Sequence, residues 1–186
     1  PTVLAGLAAA LTTVDRTLLE GDGVRALIED PVGRGSLAHA VATATGAIAA
    51  VEAAIDGGIL TGDDVEAANA ALVAIRDACW AIERDRIAAA RAVEGLAGTS
   101  PAGPAALAAL HSVEVALAAI ERLEVRGRDS AGLHLLVGGH GLDPDDPAIA
   151  RLIEARAADR LFTAGAVRVA VDHLGFVYKT AAEIGE

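Results

Sequence analysis

Apolar residues recur through the first two-thirds of the chain in alternating three- and four-residue steps, the period of one helix face. Leu4, Leu7, Leu11, Val14 and Leu18 form the first such stripe and predict a helix over 2–20, stopped by Gly21-Asp22-Gly23. The stretch 29–36 reads as a loop from its Gly and Pro content, with Ser36 as N-cap of the next helix. That second helix, 37–56, carries Leu37, Val41, Ala44, Ile48, Val51 and Ile55 in heptad spacing and ends at Gly57-Gly58. The third is the longest. Val65, Ala68, Leu72, Ile75, Cys79, Ile82, Arg86, Ala89, Val93 and Leu96 keep the same steps, and at about 1.5 Å per residue the span 63–96 would measure on the order of 50 Å. Such a rod is expected as one arm of an antiparallel hairpin or bundle, with the second helix as its partner.

The Gly- and Pro-rich stretch Ala97–Pro104 is the clearest break. A fourth helix follows on the stripe Leu107, Leu110, Val113, Leu117, Ile120 and Leu123, ending near Arg126-Gly127. The run 131–137 reads as a short buried strand closed by Gly138-Gly139, and Asp146-Pro147 as the N-cap and first residue of a helix to about Asp159. The run 166–171 alternates weakly, as a second strand would, and a last helix is predicted over 173–184. The expected architecture is therefore mainly α: long antiparallel heptad-patterned helices over 1–103, then a small α/β portion over 104–186.

Composition narrows the function classes. The apolar share of 53% includes only 2% aromatics, so alanine, leucine and valine supply it. Fifteen basic against 26 acidic residues give a net charge of −11, which disfavours nucleic acid and anionic membrane surfaces as partners. A single cysteine excludes an internal disulfide framework and points to the cytoplasm. No run approaches about 18 uninterrupted apolar residues, so no membrane span is expected. There is no methionine, so an initiator residue removed before Pro1, or a longer parent chain, is expected.

Candidate chemistry thins quickly on inspection. His39, His111, His134, His140 and His173 contain no pair at the helical spacing of zinc sites, so no metal is expected. His134 and His140 with Asp143, Asp145 and Asp146 are read as strand, loop and cap residues. Pro147 stands where a calcium loop needs a ligand, and Gly138-Gly139-His140-Gly141 lacks the strand–helix context of a dinucleotide loop. Cys79 on the apolar seam is expected to pack as a small hydrophobe. Arg86 on the same seam needs an acid, for which Glu52 or Asp56 on the neighbouring helix are the candidates.

The most informative words are Leu123-Glu124-Val125-Arg126-Gly127-Arg128-Asp129-Ser130-Ala131-Gly132. This decapeptide resembles the LEYRGYDSAG segment of the glucosamine-6-phosphate synthases, matching eight of ten positions with Val125 and Arg128 in place of two tyrosines. Those enzymes begin with a class II glutamine amidotransferase domain of the N-terminal-nucleophile hydrolase type. The resemblance implies a sandwich of that type. It implies a cysteine nucleophile whose own α-amine is the base, with ammonia passed to a sugar-isomerase (SIS) domain that makes glucosamine 6-phosphate from fructose 6-phosphate. It places Arg126, Gly127, Asp129 and Ser130 as support for the substrate pocket, names glutamine and a sugar phosphate as the parent's ligands, and implies no cofactor.

The chain departs from the family pattern in three ways. It starts with Pro1 instead of Cys-Gly, it has no Arg-Trp-Ala-Thr-His-Gly segment, and over a hundred residues of helical pattern precede the decapeptide. The expectation is an atypical synthase-like protein with a long helical insertion, its nucleophile and isomerase lying outside these residues, so that this chain alone is not catalytic. The alternative is an acidic helical interaction or oligomerisation module without catalysis. In either case a homo-oligomer is expected.

Overall fold

A computed structural model describes residues 2–20, 22–60, 62–99, 102–124, 130–158, 167–170 and 172–181. The protein is mainly helical and carries a small three-stranded antiparallel sheet. It divides into two compact units, Pro1–Glu114 and Val115–Glu186, with the division inside one helix.

In the first unit α1 spans Thr2–Leu19, α2 Gly23–Glu29 and α3 Pro31–Asp56. The loop expected over 29–36 is instead helix from Pro31 onward. Asp30 is the cap: its side chain accepts the Gly33 amide at 2.9 Å, and Pro31 begins the helix where no amide is needed. Gly33 is what lets the carboxylate fold in, since a Cβ there would lie 2.2 Å from Asp30 Oδ2. Ser36, expected as a cap, sits inside α3 and donates to the Val32 carbonyl.

The long helix is continuous over 63–97 but not uniform. Helix α4 (Asp63–Ala81) passes through a π-helical turn, Ile82–Ile87, into α5 (Ala88–Ala97). The buried row therefore runs Leu72, Ile75, Cys79 and Ile82, then steps five residues to Ile87 and on to Ala90 and Val93. Arg86 and Leu96, placed on the seam by an unbroken heptad, leave it; Leu96 is exposed. A π-turn accommodates one surplus residue without breaking the rod, and that residue shifts the phase of everything after it. Ala71 and Ala78 add a second buried row, so α4 is wide enough on its apolar side to take α1 and α3 together.

Chain directions follow from the ion pairs. Arg34 near the start of α3 meets Glu94 in α5, and Glu52 near its end meets Arg76 in α4, so α3 runs antiparallel to the long helix. Asp15, late in α1, meets Arg86 at 3.1 Å while the rest of α1 packs along α4, so α1 runs parallel to it. This replaces Glu52 and Asp56 as the expected partners of Arg86. The core joins Val41, Ile48, Ile75, Ile82, Ile87 and Val93, and the start of α6 (Pro104–Glu124) closes on it through Leu107 and Leu110.

By length and composition α1, α3 and residues Pro104–Arg122 of α6 are apolar enough to cross a membrane. Alanine supplies much of that apolarity, and two of the three helices carry the ion pairs just described.

The second unit holds β1 (Ser130–Gly138), α7 (Pro147–Ala158), β2 (Val167–Val169) and β3 (His173–Ala181). Strand β3 replaces the helix expected over 173–184 as far as Ala181, and 182–184 lie outside the described residues. It is the central strand, in the order β1-β3-β2, with both neighbours antiparallel. Leu174, Phe176 and Tyr178 alternate with His173, Gly175 and Val177, a period of two that aromatic and β-branched residues favour. Asp146 caps α7 by accepting the Ala148 amide at 2.7 Å.

Candidate functional site

Helix α6 ends at Glu124 and β1 begins at Ser130, so the decapeptide straddles a helix-to-strand junction. Arg126, Gly127 and Asp129 lie outside the described residues, as do Val125 and Arg128. Ser130 opens β1 opposite Ala181, and nine residue pairs run from there to Gly138 opposite His173. The register puts Ser130 at the sheet end formed by the start of β1 and the end of β3.

That register also sorts the side chains of the sheet. Residues directly opposite share a face, so Leu133, Leu135 and Val137 stand with Tyr178, Phe176 and Leu174, and Val167 and Val169 of β2 extend the row. Over these residues the face is apolar apart from the Tyr178 hydroxyl. Arg156 of α7 lies over it, its guanidinium carbon 4.8 Å from the Tyr178 ring centroid, a cation–π contact.

The other face is different. His134 and Leu136 of β1 and Arg168 of β2 converge over Gly175, where a Cβ would meet His134 Nε2 at 3.2 Å and Leu136 Cδ2 at 3.5 Å. Glycine in mid-strand is the only residue that admits this approach without displacement. Leu136 is 64% exposed, so the face is open. It offers an imidazole for proton transfer and a guanidinium for an anionic group.

The remaining polar candidates have local work. His140 Nδ1 accepts the Leu142 amide at 3.0 Å and Asp143 accepts the Asp145 amide at 3.0 Å, so both shape the turn before α7. Among the described residues no three His, Cys, Asp or Glu side chains are grouped to hold a metal. His173 Nδ1 lies 2.7 Å from Asp172, and this contact, aided by a backbone hydrogen bond and the charge of His173, holds the Asp172 carboxyl below the usual carboxylate range. In the helical unit Cys79 is buried, and burial pushes its thiol up; a hydrogen bond with Thr45 opposes this and the Glu83 carboxylate adds to it. A thiol so placed is a poor nucleophile.

The helical unit also contains a shallow cavity of about 420 Å³ lined by Ile28, Glu29, Glu94, Ala97, Ala102 and Leu107. Beside it Arg34, the one buried charged residue among the described residues, donates to the Leu27 carbonyl at 3.0 Å and to Glu94 at 2.8 Å. Arg34 thereby satisfies a carbonyl that the end of α2 would otherwise leave unpaired. The sequence signals neither this anchor nor the His134–Gly175–Arg168 cluster, because both are made by residues far apart in the chain. The one usable hint was a glycine inside a stretch otherwise rich in strand formers.

No protein-family model, no curated protein and no solved structure matches this chain.

Proposed function

We propose that this chain is part of a glutamine-dependent amidotransferase resembling the glucosamine-6-phosphate synthases. The observation that carries the reading is the decapeptide across the α6–β1 junction: Leu123 and Glu124 close the helix, and Ser130, Ala131 and Gly132 open a strand. In this reading the three-stranded sheet is a fragment of an N-terminal-nucleophile sandwich, and its apolar face, from Leu133 to Tyr178, belongs to that sandwich's interior. Arg126, Gly127, Asp129 and Ser130 support the pocket in which a cysteine thiolate, supplied from outside these 186 residues, attacks the carboxamide of glutamine. Ammonia leaves and water releases glutamate from the thioester. An isomerase domain, also outside, passes the ammonia to a sugar phosphate. The helical unit is an insertion into this enzyme, which works in the cytoplasm away from membrane and nucleic acid.

The test begins with protein expressed from its own gene, its intact mass and its N-terminal sequence. The reading expects a Cys-Gly start, glutamate release from glutamine, and a drop of about tenfold or more in kcat/KM for Arg126→Ala. A Cys-Gly start with no glutamate release, and no change in substrate affinity for Arg126→Ala, would sink it.

A second reading, a helical module that joins copies or partners without catalysis, is favoured by one observation. Trp80, the single tryptophan, is 56% exposed on the outer face of the helical unit.

A further inference from the structure

The three strands contain no aspartate or glutamate, in a chain with 26 acidic residues. The residues in them able to carry positive charge are His134, Arg168, His173 and Lys179. The register puts the first three on the Gly175 side of the sheet: His134 stands opposite Val177, Arg168 opposite Gly175, and His173 two residues before Gly175. The other face meets α7 through Arg156. One face of the sheet thus gathers groups of one sign on a molecule of the other.

His134 and Arg168 are the open part of this face. A Cβ on Gly175 would lie 3.2 Å from His134 Nε2 and 3.7 Å from Arg168 Cβ, so the imidazole edge and the base of the arginine border one spot on the strand. Leu136 Cδ2 borders the same spot at 3.5 Å. Both polar residues are exposed, and neither has a hydrogen-bond or ion-pair partner among the described residues. His173 differs: its Nδ1 is engaged by Asp172 at 2.7 Å, and that carboxylate offsets its charge.

We propose that this spot is a binding site for a small organic phosphate. The phosphoryl oxygens accept from His134 Nε2 and from the Arg168 guanidinium fork, and the carbon body rests on Leu136. A phosphoryl group offers three oxygens to ring and fork at once, which a carboxylate does not. The ligand is small for a reason of charge. The Debye length is about 8 Å at physiological ionic strength, so an anion confined to this face feels the cations beside it. A polyanion running past the face meets a chain of net charge −11. Both polar contacts are open to solvent, so Kd is on the order of millimolar. The site makes and breaks no bond and is independent of the amidotransferase reading.

Ring proton–carbon NMR of the full chain follows the five histidines while phenyl phosphate, inorganic phosphate or phenol is added at fixed pH and ionic strength. The signal lost in His134→Gln assigns His134. Both phosphates are expected to shift that signal saturably, with Kd on the order of millimolar for phenyl phosphate and about threefold weaker for inorganic phosphate. Phenol is expected to leave it unmoved. Arg168→Gln should weaken both phosphates about tenfold, and Leu136→Ser should remove the advantage of the ester. Arg151→Gln, which removes a cation from α7 in the same unit, should change neither. A His134 signal that does not saturate by about 50 mM phenyl phosphate overturns the proposal. So does a shift shared equally by all the histidines, an affinity that Arg168→Gln leaves unchanged or that Arg151→Gln lowers as much, or an ester advantage that survives Leu136→Ser. A single-stranded oligonucleotide that binds more tightly than phenyl phosphate overturns it as well. Should Arg168→Gln fail to fold by circular dichroism, the wild type decides alone: Leu136 methyl signals unmoved by phenyl phosphate refute the site.

Discussion

The helical unit and the sheet unit enclose their apolar residues to very different depths. Ile75, Ile82, Ile87, Val41 and Val93 are fully enclosed among helices α1 to α5, whereas among the described residues of the sheet unit only Leu174 and Gly175 are buried. The helical unit draws on residues 60 and 71 positions apart, as in Arg34–Glu94 and Asp15–Arg86. The sheet unit relies on one apolar face and one short helix. A thin core lowers the free energy of local opening, so the two units should differ in how they respond to the same kind of damage. Trp80 reports the first unit and Tyr178, the single tyrosine, the second.

The largest effect is expected from Ile82→Ala. It empties a fully enclosed site at the head of the π-turn and should cost about 3–4 kcal/mol in urea unfolding followed by Trp80 fluorescence. Leu174→Ala should cost about 2–3 kcal/mol in the transition seen by Tyr178. Should that mutation instead move the Trp80 transition by the same amount, the two units would not be separate in stability and the contrast between them would fail. Asp15→Asn, which leaves the half-buried Arg86 without its charge partner, should cost about 1–2 kcal/mol by the Trp80 signal. Gly175→Ala crowds the His134 ring and should cost about 1 kcal/mol by Tyr178, with a shifted His134 ring resonance.

The smallest effect concerns acid. The folded Asp172 carboxyl sits below its ordinary value because His173 holds it. Its contribution is therefore complete above the unfolded value and is lost as pH falls through the folded one. Asp172 is largely exposed, so the loss is slight. Carbon-detected NMR titration should place Asp172 below the ordinary aspartate value, and His173→Asn should return it towards that value.

What the sequence discloses is local, and what it conceals is where distant residues decide. The stripe from Leu4 to Leu18 and the pair Asp146-Pro147 mark α1 and the start of α7 because a helix face and an N-cap are set within a few residues. The seam through Arg86 misleads because an unbroken heptad and a rod with one surplus residue have the same pattern on either side of the insertion. Only Asp15, 71 positions away, shows why Arg86 leaves the core. The tail misleads for a related reason. The run 173–181 is strand because β1 pairs along its whole length and β2 adds a second edge at 174–176. Of the candidate site, Ser130 is placed at the head of β1. The convergence of His134 and Arg168 over Gly175 is invisible in sequence because it depends on strand register.

The π-turn bears on how this chain can have diverged. A residue gained inside a packed helix ordinarily throws every later side chain out of phase and is lost to selection. Here a surplus residue is absorbed within six positions, where the side chain that leaves the seam is a cation and a neighbouring helix offers it an acid. Relatives lacking the insertion should be one residue shorter between Ile82 and Ile87, with an apolar residue or alanine where Asp15 stands. Alignments that forbid a gap within helices would misplace every residue after Arg86 by one.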